Sequence, residues 1–293
     1  MKVDDFLTLN PVFRFDEFYE LLSSSNSTSQ RTQEAHLRNY LRRGRIRRIK
    51  RGLYMTVPPG QTPDSVKPDL FLVAAKMTPD AVLAYHTALE FHGRSYSIFT
   101  EFYSLTNHSM RKFKFDGMSF RGVPFSRELV EKKVELFDVK HVNRSGVDVS
   151  VTSMERTLVD VLDRPVFGGG WEEIWRSLES IEYFNLDKVV EYAFLLANST
   201  TIAKVGFYLE SNAERLMVNE KYLDALGKGI SRKPHYMDRN NRKGGQLMER
   251  WNLIVPKAIV DQSWEELRMY GNSRELIRKM KGRSNAWFTN LNS

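Results

Sequence analysis

Arg31-Thr-Gln-Glu-Ala-His-Leu-Arg-Asn-Tyr-Leu-Arg-Arg-Gly-Arg-Ile-Arg-Arg-Ile-Lys-Arg51 sets Arg31, Arg38, Arg42, Arg43, Arg45, Arg47, Arg48, Lys50 and Arg51 against a single carboxylate, Glu34. Like charges at this density stay ordered only where apolar residues anchor them, because repulsion adds to the entropy cost of ordering. The anchors are present. Leu37, Tyr40 and Leu41 stand at i, i+3, i+4 and predict a helix over residues 32–43, with Thr32 as its cap and Gly44 as its stop. Ile46, Ile49, Leu53, Met55 and Val57 then predict a hairpin over 45–57 that turns at Lys50-Arg51-Gly52. Ile46 and Ile49 are three apart where a strand repeats every two, so the first arm needs a bulge or a late start. A helix, a glycine and a cationic hairpin form the tail of a winged helix-turn-helix.

Upstream, Phe18, Leu21 and Leu22 predict a short first helix over 15–22, with Asp16 favouring its N-terminus. Residues 23–29 are Ser, Asn and Thr without an apolar residue, so the middle helix of a helix-turn-helix is not apparent. Downstream, Pro58, Pro59, Gly60, Pro63 and Pro68 mark a connector, since proline removes a donor and fixes φ. The expected division is a DNA-binding unit at 1–57, a linker at 58–69, an α+β regulatory unit at 70–262 and a polar, basic, disordered tail at 263–293. The fold class expected is α+β, a winged helix-turn-helix followed by a mixed α/β domain.

The chain has 293 residues, 41% of them hydrophobic, enough for a core in each unit. Lys and Arg number 44 against 36 Asp and Glu, a net charge of +8 that gains meaning from its concentration near the N-terminus. There is no cysteine, which excludes disulfides and thiolate metal sites and fits a reducing compartment. Acids at Asp4 and Asp5 stand where a leader needs a basic flank, and no apolar run has the length of a bilayer span. The expectation is a cytoplasmic protein without a membrane partner.

In the second unit the patterns predict helices at 70–77 and 81–91, a strand at 101–105, and a hairpin at 112–120 turning on Asp116-Gly117. Further strands are expected at 134–142 and 147–151. Thr152 and Glu155 have capping-box spacing before a helix with Met154, Leu158, Val161 and Leu162 on one face. Helices at 171–181, 186–197 and 202–212 follow, then a strand at 253–260 despite Pro256.

On the helix of 32–43, Arg31, Arg38 and Arg42 form a ridge apart from Leu37, Tyr40 and Leu41, with Asn39 alongside. Arg bonds the guanine edge bidentately and Asn reads adenine, so Arg38, Asn39 and Arg42 are candidate base readers, with Arg31 on the same ridge. Arg43, Arg45, Arg47, Arg48, Lys50 and Arg51 are candidate phosphate contacts, because one hairpin cannot turn so many charges toward bases. The plainer readings are a solvated basic face or an RNA-binding arm.

Four stretches in order resemble the AbiEi antitoxin family of type IV toxin–antitoxin systems. They are Leu41-Arg-Arg-Gly-Arg-Ile-Arg-Arg-Ile-Lys-Arg-Gly-Leu-Tyr54, Tyr85-His-Thr-Ala-Leu-Glu-Phe-His-Gly93, Thr152-Ser-Met-Glu-Arg-Thr-Leu-Val-Asp160 and Lys204-Val-Gly-Phe-Tyr-Leu-Glu210. The resemblance implies an N-terminal winged helix that binds double-stranded operator DNA and represses its own operon. It also implies a second domain that counters a nucleotidyltransferase-like toxin without a lasting complex. A homodimer on DNA is compatible with it.

The rival class is a metal-dependent nuclease targeted by the winged helix, with Asp116 and Glu131-Lys132-Lys133 as its acid and acid-x-lysine groups. Asp116 is already explained as a turn residue, and Gly168-Gly169-Gly170 lacks the lysine and hydroxyl of a phosphate loop. His86 and His92, six apart with Glu90 between, fall on different helix faces and read as structural. Arg156 and Asp160 at i, i+4 read as a helix-surface pair worth about 0.2–0.5 kcal/mol. No cofactor and no enzymatic activity are expected. A regulator whose second domain binds a small effector, or dimerises, is the other non-enzymatic reading.

Overall fold

Residues 3–25, 30–238 and 244–262 are described by a computed structural model. The polar segment 26–29 and the tail 263–293, on which two of the expectations fall, lie outside the described residues.

The chain opens with α1 (Val3–Leu9), β1 (Val12–Arg14), α2 (Phe15–Ser25), α3 (Gln30–Arg42), β2 (Ile46–Lys50) and β3 (Leu53–Thr56). The three strands form an antiparallel sheet in the order β1-β3-β2. The sequence reading took α2 for the first helix; α1 precedes it, so α2 is the second of three helices ahead of the hairpin. The signal for α1 was Val3, Phe6 and Leu7 at i, i+3, i+4. Phe6, Phe13, Phe18, Leu37, Ile46 and Tyr54 share one core, with the Phe6 and Phe13 rings edge to face at 5.3 Å.

Gly44 ends α3 at φ +66, its N–H bonding the Leu41 carbonyl while Arg45 N–H reaches back to Tyr40. This paired closure of the last turn requires a left-handed residue, which glycine adopts without a Cβ clash. The register of β2 shifts between Arg48 and Lys50, so a bulge is there; Ile46 packs in the N-terminal core and Ile49 in the cluster with Val12, Leu53 and Met55, on the other face of the sheet.

Beyond the connector come α4 (Leu70–Ala75), β4 (Val82–Leu83), α5 (His86–Phe91), β5 (Glu101–Leu105), β6 (Phe113–Phe115), β7 (Met118–Val123) and α6 (Arg127–Glu131). They are followed by β8 (Val139–Arg144), β9 (Val147–Thr152), α7 (Met154–Asp163), α8 (Trp171–Glu179), α9 (Leu186–Leu195), α10 (Ser199–Ser211) and α11 (Glu220–Gly227). The described chain ends with β10 (His235–Tyr236), β11 (Gly245–Met248), β12 (Leu253–Pro256) and α12 (Lys257–Val260). One mixed six-stranded sheet runs β6-β7-β5-β4-β9-β8, and a small sheet runs β10-β12-β11. The fold class is α+β, as expected.

Several boundaries differ from the periodicity. The helix expected over 81–91 splits into β4 and α5, because Tyr85 takes φ +57 and breaks the helical run. β8 starts at Val139, not 134, and the strand expected to reach 260 stops at Pro256 and turns into α12. The cap of α7 is Ser153, whose Oγ accepts from Arg156 N at 3.1 Å; Thr152 closes β9 and Glu155 instead accepts from Asn185 N at 3.0 Å.

Both faces of β3 are covered. Tyr54 joins the N-terminal core, while Leu53 and Met55 join Val12, Ile49, Leu72, Phe102, Phe120 and Val149 in a second cluster. The small N-terminal sheet and the six-stranded sheet therefore share a core. Among the described residues no helix is long and apolar enough to cross a membrane.

Candidate nucleic-acid interface

Helix α3 is amphipathic in the way its sequence requires. Leu37 is buried and Tyr40 and Leu41 pack against the core, whereas Arg31, Arg38 and Arg42 are exposed. Asn39, half-buried, accepts a long hydrogen bond of 3.4 Å from Arg42 Nη2. Arg43 is exposed at the helix end, and Arg48 and Arg51 are exposed on β2 and its turn. Seven of the ten candidates therefore lie on α3, its end or the hairpin with side chains at or near the surface: Arg31, Arg38, Asn39, Arg42, Arg43, Arg48 and Arg51.

The other three are engaged within the protein. Arg45 Nη2 lies 2.8 Å from Asp4 Oδ1, an exposed pair that ties the hairpin root to α1. Arg47 stacks its guanidinium over Phe115 at 4.9 Å from the ring centre. Lys50 is the deepest: Nζ donates to the Met77 carbonyl at 3.1 Å, sits 3.3 Å from Met110 Sδ, and lies 4.9 Å from the Phe113 ring centre. Burial pulls the Lys50 ammonium below the usual lysine range. Arg47 and Lys50 were read as phosphate contacts; the edge strand β6 passes beneath the hairpin and draws both inward. Nothing in the pattern of 31–51 marks them, because the aromatic partners lie more than sixty residues downstream.

The second unit also holds buried charge. Arg156 and Asp160, expected on a helix surface, are buried: Arg156 Nη1 donates to the carbonyls of Glu135 and Phe137, both at 2.7 Å, and Asp160 accepts from Tyr192 Oη at 2.7 Å. This network fixes the 134–138 turn to α7, a structural task. Burial raises the Asp160 carboxyl against the neighbouring Arg156 charge.

His86 is fully buried and stacked on Phe99 at 3.7 Å between ring centres. Its Nε2 bonds Glu173 Oε1 at 3.1 Å, and its Nδ1 lies 3.7 Å from Glu90 Oε1. Burial lowers the imidazole pKa, with Glu173 opposing. Glu173 also accepts from Ser97 N and Ser177 Oγ, and Glu90 accepts from Phe99 N, so the pair of carboxylates straps the 95–99 loop down. His92 bonds the Thr152 carbonyl at 2.8 Å. Both histidines have structural partners, in keeping with the reading of their spacing.

Asp116 occupies the left-handed first position of the β6–β7 turn, φ +52, with Gly117 at φ +79, and Glu131 pairs with Arg127 at 2.7 Å. Among the described residues no group of three or more His, Cys, Asp or Glu is arranged to hold a metal ion.

No family model and no curated protein matches the chain. Among solved structures, the chain is similar to the crystal structure of the RV2827C protein from Mycobacterium tuberculosis, at 15% sequence identity and a TM-score of 0.53. The match covers 92% of this chain and 93% of that one, so at this identity the two are similar in an α+β fold that extends over nearly the whole length of both.

Proposed function

We propose that the N-terminal unit is a winged helix that binds double-stranded operator DNA, and that the chain is a repressor of the AbiEi antitoxin kind. The element order α1-β1-α2-α3-β2-β3, with β1 completing the hairpin sheet, supports the winged-helix reading. The observation that carries it is the exposed Arg31, Arg38 and Arg42 face of α3, running into a hairpin that exposes Arg48 and Arg51. Arg38, Arg42 and Asn39 read bases in the major groove, while Arg43, Arg48 and Arg51 hold phosphate.

The test is fluorescence anisotropy on fragments of the chain's own promoter against scrambled duplexes over a salt series. Arg38→Ala or Arg42→Ala narrows the gap between the two duplexes by about 1–3 kcal/mol, whereas Arg51→Ala weakens both equally. With roughly four phosphates neutralised, log affinity falls against log salt with a slope of about −4. A flat salt response, or equal affinity for both duplexes in the wild type, refutes operator binding.

The antitoxin part rests on the four-segment resemblance. Its test is coexpression of the full chain with a nucleotidyltransferase encoded beside it: growth is rescued if the reading holds, and continued arrest with soluble protein overturns it without touching the repressor reading.

A further inference from the structure

A cleft of about 1040 Å³ opens in the second unit where the end of α7, the starts of α8 and α10, and β10 converge. Its size matches small-molecule sites. Lys204, the first residue of the fourth family-like stretch, lines it, and none of the DNA-binding candidates does.

Three cationic or protonatable side chains line the cleft: Arg164, Lys204 and His235. Lys204 is 6% exposed, and its ammonium donates to the carbonyls of Leu162 at 3.0 Å and Asp163 at 3.4 Å, so a nearly buried positive charge stands in the wall. Arg164 is half-buried, with Nη1 at 3.3 Å from the Pro124 carbonyl and 3.5 Å from Tyr85 Oη. His235 Nδ1 is bonded to Thr200 Oγ1 at 2.7 Å, while its Nε2 is shielded and has no partner among the described residues.

Three acids also line the cleft, Glu128, Asp163 and Asp238, and each is engaged within the protein. Asp163 accepts from Thr201 Oγ1 and from Asn198 Nδ2 at 3.3 Å, and lies 3.4 Å from Arg164 Nε. Glu128 accepts from Ser126 Oγ. Two helix starts add positive potential. α8 begins at Gly170 without a side-chain cap, and a Cβ there would meet nothing within 4 Å, so the approach to its first turn is open. The acids of that turn face elsewhere, Glu172 to Arg176 and Glu173 to His86.

Flat surfaces accompany the charge. Phe167, Trp171 and Tyr236 line the same space.

We propose that this cleft binds a mononucleotide-class ligand, its phosphate held by Arg164 at the start of α8 and its ring laid against Trp171 or Tyr236. The site makes the second unit ligand-responsive, and it depends on neither DNA binding nor toxin neutralisation. The full chain is titrated with AMP, GMP, CMP and UMP, with adenosine and inorganic phosphate as separate arms, following tryptophan fluorescence and calorimetric heat.

At least one mononucleotide binds, and adenosine and phosphate each bind about tenfold or more weakly than it. Arg164→Gln and Trp171→Leu each weaken binding about tenfold, with circular dichroism melts close to wild type, and Arg127→Gln on exposed α6 changes nothing. Trp171→Leu leaves the Arg164 contacts intact, so loss of fold in one variant does not remove the test. Absence of binding by every mononucleotide up to about 5 mM, phosphate binding as tightly as the nucleotides, or variants that bind like wild type overturns the proposal.

Discussion

Arg48 and Lys50 stand two positions apart on one strand and end in different surroundings, one in solvent, the other on the Met77 carbonyl. Both are cations in the same run, and charge patterning cannot separate them. What separates them is the β2 bulge and the aromatic strand β6 under it, a long-range contact. The exposed ridge of α3 was legible, because 3.6-residue periodicity divides Leu37 and Leu41 from Arg38 and Arg42 without tertiary information. The same limit hid the burial of Arg156 and Asp160: an i, i+4 spacing looks alike on a wet face and a covered one. His86 carries a pH prediction. Its folded pKa lies below the unfolded value of about 6.5, so its contribution to stability is complete above that value. It is lost as pH falls toward the folded value, where the unfolded chain binds the proton first. Thermal melts should therefore show Tm falling between pH 7 and pH 5, with a smaller fall in His86→Gln. An identical pH slope in the two proteins would contradict the assignment.

Elements with regular apolar spacing were read within a few residues: α3, the β2–β3 hairpin, β5, and the β6–β7 hairpin on Asp116-Gly117 all stand where the pattern puts them. α1 was passed over because seven residues hold only one apolar repeat, and its stability comes from Phe13 and Phe18 rather than from its own turns. β4 was absorbed into a helix for a similar reason, since two residues have no period. Gly206 is the clearest tertiary requirement at this scale. It lies inside α10, where glycine is unfavourable, yet a Cβ there would come within 2.0 Å of Trp251 Cζ3, an indole carbon that is fully buried. Gly206→Ala should therefore destabilise the fold despite its better helix propensity, by about 1–3 kcal/mol or more, as overpacking does. Urea denaturation measures it, and a midpoint at or above wild type would show that Trp251 yields without cost.

At the scale of the whole molecule, the proline-rich connector suggested two bodies on a tether, whereas the core is continuous across it. Leu53, Met55, Ile49 and Val12 of the small sheet are buried by the six-stranded sheet. Each such side chain is worth about 1.5–3 kcal/mol on full burial, and domains keep only about 5–15 kcal/mol in all. Residues 1–57 alone should accordingly give no cooperative thermal transition by circular dichroism, and should bind DNA far more weakly than the full chain. A sharp melt and dispersed amide spectrum for that fragment would refute this. The arrangement also makes the position of the β2–β3 hairpin a property of both units, because Arg47 and Lys50 rest on β6.

The sequence by itself determined the α+β class, the cationic ridge of α3, its glycine stop and the hairpin after it, because these depend on spacing and charge within a few turns of chain. Only the tertiary structure decided which cations of the hairpin face solvent, that β3 is covered on both faces, and that a cleft opens between α8, α10 and β10. Those outcomes come from residues far apart in the chain competing for the same surface, and local periodicity holds no record of that competition.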